Sequence, residues 1–158
     1  METNLIISLG TNLGDKKENL KLAKDLLSKS FSLVDASPIA SSKAVDYIEQ
    51  PDFYNQILHF KINTHEFSPE ACLVVCLNIE NALGRVRNTP KGPRIIDIDI
   101  LFYGFHKISS PNLKIPHAEM FKRSFIIEPL KKLKIFNCYN NKFSFPSHFN
   151  NSCRILSS

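Results

Sequence analysis

Residues 95–103 read Ile95-Ile96-Asp97-Ile98-Asp99-Ile100-Leu101-Phe102-Tyr103, an apolar run crossed by two acids two positions apart. Side chains on a β-strand alternate between its faces. Asp97 and Asp99 therefore share one face, while Ile96, Ile98 and Ile100 fill the other. Two carboxylates side by side in an apolar strand repel each other, and each carries a desolvation cost. A dication between them would relieve both. Hard oxygen donors from only two side chains suit Mg²⁺, which keeps waters and completes its shell with phosphate oxygens. The plainer alternative is a pair of surface acids on an edge strand.

Working outward, the residues just before this strand are basic. Arg85, Arg87, Lys91 and Arg94 fall on a loop broken by Pro90, Gly92 and Pro93. Cations on such a loop beside an acidic strand suit the gripping of a polyphosphate. His117 and Arg123, further on, could add to that grip. Each basic residue taken singly reads equally as a solvated side chain; the cluster beside Asp97 and Asp99 is what carries the argument. Glycines 10 and 14 form neither a P-loop nor a dinucleotide fingerprint, and read equally as a plain turn or as one where backbone approaches a ligand.

The remaining elements follow from pattern. Asn4 to Leu9 is an apolar strand ending in a glycine turn, and Asp15 with Glu18 then opens a helix carrying Leu20, Ala23, Leu26 and Leu27 at helical spacing. Phe31–Ala36 and Phe53–Ile62 read as two more strands. The polar stretch from Ser37 to Asp52 between them reads as a mobile loop. Ser68-Pro69-Glu70 starts a second helix that stops at Gly84. The order is strand–helix–strand–strand–helix–strand, followed by an irregular tail with one short helix near 118–121 or 127–133. This predicts an α+β, ferredoxin-like fold: an antiparallel four-stranded sheet covered on one face by two helices, plus a C-terminal extension.

The chain of 158 residues suits a single domain over 1–158, and its 43% hydrophobic content with 12 Phe supplies a core. No run is long and apolar enough to cross a membrane, and the N-terminus lacks a leader pattern, so a cytoplasmic protein is expected. Residues 1–105 hold 11 Lys/Arg against 13 Asp/Glu; residues 106–158 hold 9 against 2. A basic second part suits a nucleic acid or a small polyanion such as ATP. Cys72, Cys76, Cys138 and Cys153 make no zinc pattern, and Cys72 and Cys76 read as buried helix residues.

Taken together, several motifs resemble one family, the 6-hydroxymethyl-7,8-dihydropterin pyrophosphokinases. They run in order as Leu9-Gly10-Thr11-Asn12-Leu13-Gly14, Gln50-Pro51-Asp52-Phe53-Tyr54-Asn55, Gly84-Arg85-Val86-Arg87, Gly92-Pro93-Arg94 through Leu101, Ile115-Pro116-His117, and Arg123-Ser124-Phe125. The resemblance implies that Asp97 and Asp99 hold two Mg²⁺ ions against ATP. It implies ATP contacts from Glu80, Arg87, Lys91, Arg94, Ile100, His117 and Arg123, with Arg85 assisting closure and turnover. The pterin would stack between Phe53 and Phe125, with Asn55 and Asp97 at its polar edge and Gly10, Ser42, Lys43 and Val45 completing the pocket. Transfer of pyrophosphate from ATP to the pterin's hydroxymethyl group would release AMP, on the way to folate. A monomer with no nucleic-acid or membrane partner is implied.

Three positions depart from the usual pattern: Pro90-Lys91 replaces an Arg-Trp pair, Ala118 follows His117, and Ser42-Lys43-Ala44 replaces Thr-x-Pro. Two other readings remain open at this level. One is a ferredoxin-like module that binds single-stranded RNA through exposed aromatics. The other is a metal-dependent nuclease built on Asp97 and Asp99. The placement of Phe53, Asn55 and Phe125 relative to Asp97 discriminates among them.

Overall fold

Leu5, Ile7 and Leu9 alternate along the first strand, β1 (Glu2–Thr11), and all three are fully buried in one core. A computed structural model describes residues 1–43, 50–84 and 95–156 of the chain. After β1, Gly14 takes a positive φ of 66° and lets the chain turn into helix α1 (Lys16–Ser30). Asp15 caps it by accepting the Glu18 N–H at 3.1 Å. Strand β2 (Ser32–Ala36) follows, then β3 (Ala40–Ser42) and β4 (Phe53–Asn63). Helix α2 (Pro69–Ala82) is capped by the Ser68 hydroxyl and ends where Gly84 adopts φ 81°. Strand β5 is Asp97–Tyr103.

These strands form an antiparallel sheet in the order β5-β1-β4-β3, with β2 also paired to β4. Helices α1 and α2 pack on one face through Leu20, Ala23, Leu27, Cys72, Cys76 and Ile79. The α+β, ferredoxin-like plan is thus present. Cys72 and Cys76 are free and fully buried, and burial pushes the Cys72 thiol up to about 12 and that of Cys76 higher still. Both are inert packing residues.

Three expectations need correction. Among the described residues the sheet has six strands rather than four. One addition, β3, lies inside the stretch read as a loop; the other, β8 (Arg154–Ile155), comes from the tail and pairs with β3. Strands of two or three residues carry too short a pattern to register as alternation, and Ser41-Ser42 is polar. Of the expected loop, residues 44–49 lie outside the described residues.

The tail is also more ordered than expected, and both faces of the sheet are covered. After a small ribbon of β6 (Ile108–Ser109) and β7 (Lys114–Ile115) come a 3-10 turn (Met120–Lys122), helix α3 (Ser124–Leu130) and helix α4 (Phe136–Asn140). Their apolar side chains close a second core on the far face with Ile6, Ile57, Leu101 and Phe102. Within it the Phe102 and Tyr139 rings lie 4.4 Å apart. The short helix expected near 118–121 or 127–133 is met by the 3-10 turn and by α3, which overlap both stretches; α4, with five residues, carries too few apolar positions to show a period.

The second core ends abruptly along β5 because of a bulge. Ile7 pairs with Ile100 while Ile6 pairs with Phe102, which leaves Leu101 as an extra residue. Leu101 and Phe102 consequently both enter the second core, whereas Ile98 and Ile100 belong to the first. On the N-terminal side of the bulge, the far face of β5 carries Asp97 and Asp99 instead.

Candidate active site

One row of the sheet crosses three strands at its polar end. Gly10 of β1 pairs with Asp97 of β5 on one side and with Asn55 of β4 on the other. Directly paired residues present their side chains on the same face, so a carboxylate and an amide flank a position that has no side chain. The space is already shared: a Cβ on Gly10 would stand 2.9 Å from Asn55 Nδ2 and 3.9 Å from Asp97 Cβ. Asn55 leans over the glycine and donates its Nδ2–H to the Leu9 carbonyl at 3.3 Å. Among the described residues its buried Oδ1 has no hydrogen-bond partner. An unpaired buried carbonyl oxygen in a slot beside a carboxylate is an acceptor awaiting a donor.

The next row places the second acid. Asp99 pairs with Ser8, and its side chain is 44% exposed, so it reaches solvent from the same face as Asp97. His117 stands beside it, Nε2 lying 4.0 Å from Asp99 Oδ1. The position of this histidine follows from the bulge. Its backbone N–H donates to the carbonyl of Leu101, the extra residue, at 3.2 Å. Its Nδ1 accepts the Glu119 N–H at 3.2 Å, so the neutral ring carries its proton on Nε2, facing the acid. Asp97 and Asp99 supply oxygen donors on one face, and among the described residues no group of three or more metal-ligating side chains is assembled. Two carboxylates suit a Mg²⁺ ion that takes its other ligands from water and phosphate, and would be a poor set for zinc.

Phe53 and Asn55 are two apart on β4 and share that face, and Phe53 pairs with Ser42 of β3. Phe125 sits in the first turn of α3, the helix that covers the same face, packed against the edge of the second core. The Arg123 guanidinium lies 5.9 Å from its ring centre. Ser42 and Lys43 line a cavity of about 530 Å³ together with Asp52 and tail residues 151–154. Phe53, Asn55, Phe125, Asp97, Gly10 and Ser42 thus belong to one face of the sheet and its covering helix, with none dispersed into the helix-side core.

Two of the residues expected to contact ATP lie toward the helix side of the sheet. Glu80 is 3% exposed on α2, and its Oε2 accepts the Ile98 N–H at 2.8 Å. That N–H belongs to the residue between the two acids, so Glu80 braces β5 from behind. Ile100 is buried in the helix-side core, which leaves only its main chain as a contact for a nucleotide. Val45, Arg85, Arg87, Lys91 and Arg94, also expected at the site, lie outside the described residues.

Two further groups had no sequence signal. Asn12, 1% exposed, donates its Nδ2–H groups to Gln50 Oε1 at 2.7 Å and to the Pro51 carbonyl at 3.1 Å. It fastens the segment that leads into Phe53. Asn151, in the tail, hydrogen-bonds both sides of Arg123. A polar contact spanning 27 to 39 residues has no local pattern; only the Asn-Leu-Gly after the first strand hinted at the first of them.

The model of the 7,8-dihydro-6-hydroxymethylpterin-pyrophosphokinase family matches residues 6–135. The chain is 40% identical over 125 residues to a folic acid synthesis protein of Pneumocystis carinii, covering 78% of this chain and 16% of that one. It is 33% identical over 129 residues to the 2-amino-4-hydroxy-6-hydroxymethyldihydropteridine pyrophosphokinase of Bacillus subtilis, covering 80% and 75%. The chain therefore spans about a sixth of the fungal relatives but most of the bacterial one. Among solved structures it resembles the wild-type HPPK-DHPS of Plasmodium falciparum with pterin and p-hydroxybenzoate. The TM-score is 0.64 at 18% identity, over 84% of this chain and 40% of that one, a likeness of fold. With the matched region containing Gly10, Asn55, both acids, His117 and Phe125, the chain belongs to the 7,8-dihydro-6-hydroxymethylpterin-pyrophosphokinase family.

Proposed function

We propose that this chain transfers the pyrophosphoryl group of ATP to the hydroxymethyl oxygen of 6-hydroxymethyl-7,8-dihydropterin, releasing AMP. The observation that carries the reading is the buried Oδ1 of Asn55, without a hydrogen-bond partner among the described residues, beside the gap left by Gly10 and next to Asp97. A pterin presents ring N–H and amino donors along one edge, which complement an amide oxygen and a carboxylate. Its flat ring would lie between Phe53 and Phe125, with Ser42, Lys43 and Val45 closing the pocket.

Asp97 and Asp99 would hold Mg²⁺, two ions with ATP bound. When bound, the metal supplies charge neutralisation on the phosphates. The protein's own part is orientation. Asp97 pairs with Gly10 and Asp99 with Ser8 one step along the same face, so the strand would hold the attacking hydroxyl and the β-phosphorus side by side. His117 would offer its Nε2–H to a phosphate oxygen, and Arg123 would reach ATP from the start of α3. Arg87, Lys91, Arg94, Glu80 and the Ile100 main chain complete the proposed ATP contacts. Arg85 would assist turnover. We read the chain as one domain acting as a cytoplasmic monomer. Among the described residues no helix is long and apolar enough to cross a membrane. A single-strand RNA module would present two or three aromatics on the two middle strands. On this face β1 carries Ile6, Ser8 and Gly10 instead, and β5, with its acids, is at the sheet edge.

The test is ³¹P NMR of purified protein with MgATP and the dihydropterin, wild type against Asp97→Ala. AMP and a pterin diphosphate should appear together, only when pterin is present, and disappear in the variant. A folded wild-type protein that makes neither product sinks the reading.

A further inference from the structure

We propose that the tail segment 151–156 positions the ligand-facing start of α3, with Asn151 as the residue that holds Arg123 and Phe125 in place. This rests on the reading of Phe125 as a pterin-stacking ring. Arg123 occupies the cap position of α3 with extended backbone (φ −113°, ψ 107°) and makes no capping hydrogen bond with its own side chain. Asn151 supplies what is missing. Its Oδ1 accepts the Ser124 N–H at 2.8 Å and the Ser124 hydroxyl at 2.7 Å, and its Nδ2 donates to the Lys122 carbonyl at 2.8 Å. The main-chain groups on both sides of Arg123, and immediately before Phe125, are therefore tied to one amide.

The same segment then crosses to the other side of the slot. Arg154 and Ile155 pair with Ser41 and Ala40 of β3, and the Leu156 N–H donates to the Ile39 carbonyl at 2.8 Å. The next residue of β3, Ser42, pairs with Phe53. Asn151 and β8 thus join the start of α3, which carries Phe125, to β3, which pairs with Phe53. Tail residues 151–154 also line the neighbouring cavity with Ser42, Lys43 and Asp52, next in the chain to Phe53. An amide is required, since the group must accept twice and donate once; a carboxylate would face the Lys122 carbonyl with no proton to give. The segment lies beyond residues 6–135, the stretch that the family model matches.

The experiment measures dihydropterin affinity by calorimetry, with magnesium and a non-hydrolysable ATP analogue present. It compares wild type, Asn151→Ala, Asn151→Asp, Ser124→Ala, Phe125→Ala and the Asn151→Ala/Phe125→Ala pair, and Leu133→Ala serves as a stability control in the second core. Misplacing one wall of an oriented site weakens binding steeply, and Asn151→Ala should lose about tenfold in affinity. Asn151→Asp should be as weak, and Ser124→Ala, which keeps two of the three bonds, intermediate and readable if the larger change unfolds the protein. Leu133→Ala should lower the Tm without changing affinity. In the Phe125→Ala background Asn151→Ala should add nothing. The positioning role is overturned if wild type binds pterin and Asn151→Ala or Ser124→Ala binds equally well, or if the full loss persists without the Phe125 ring. A wild type that binds no pterin removes the proposed function, and this role falls with it.

Discussion

At the scale of single residues, Gly10 shows why a side chain can matter by its absence. It lies within β1, one residue from the strand's end, where glycine ordinarily weakens a sheet, and no positive φ calls for it there. What calls for it is the 2.9 Å approach of Asn55 Nδ2 to the place a Cβ would take. Gly10→Ala must push the amide aside, and Asn55 Oδ1 with it. We expect pterin affinity to fall by at least about tenfold, because polar groups built for a ligand discriminate strongly when misplaced, while the Tm shifts little. Calorimetric titration beside a thermal melt checks this, and retained affinity would show that Asn55 does not read the pterin. The glycine was legible in the sequence as a turn residue only. Its role depends on a neighbour 45 positions away, which no local reading supplies.

Among the elements, β5 and α2 form a unit. β5 is at the edge of the sheet, and an edge strand exposes every second N–H. Glu80 takes the N–H of Ile98, the residue that separates the two acids. A hydrogen bond to a charged group contributes about 1.5–3 kcal/mol, so Glu80→Ala should cost about 2 kcal/mol in urea unfolding. It should also weaken magnesium-dependent ATP binding several-fold by letting Asp97 and Asp99 drift. Unchanged stability with lost ATP affinity would instead mark Glu80 as a direct ligand contact. The strand itself was readable from its alternation, as were β1, β4 and both long helices, because each carries enough residues for its period to show. The Leu101 bulge was not readable. Its apolar residues look like any strand continuation, yet it decides both where the acidic face ends and where His117 is anchored.

For the whole molecule, the sheet separates two cores, and the polar end of the far face lies beyond the second. At the opposite end of that face the buried His59 holds Asn4, its Nε2 2.8 Å from Oδ1. Burial lowers its affinity for a proton below the ordinary 6.5, Lys61 lowers it further, and Asp35 opposes them weakly. The unfolded chain then binds the proton more tightly than the folded one, so stability rises with pH across this window. The contribution is fully present above pH 6.5 and is lost as pH falls toward the folded value. Melting curves between pH 7.5 and 5 should show the Tm of wild type declining more steeply than that of His59→Gln, whose amide keeps a donor for Asn4. Parallel declines would remove His59 from the account.

By itself the sequence determined the alternation of long strands and helices, the two-residue spacing of Asp97 and Asp99, and the motif order that places the chain in its family. These are properties of neighbours along the chain, and periodicity or spacing expresses them directly. Tertiary structure alone decided that Gly10, Asn55 and Asp97 form one row, that the tail builds a second core and an edge strand, and that Asn151 grips the start of α3. Each of these is a contact between distant residues whose partners are chosen by sheet register and packing, and register is a property of the assembled sheet.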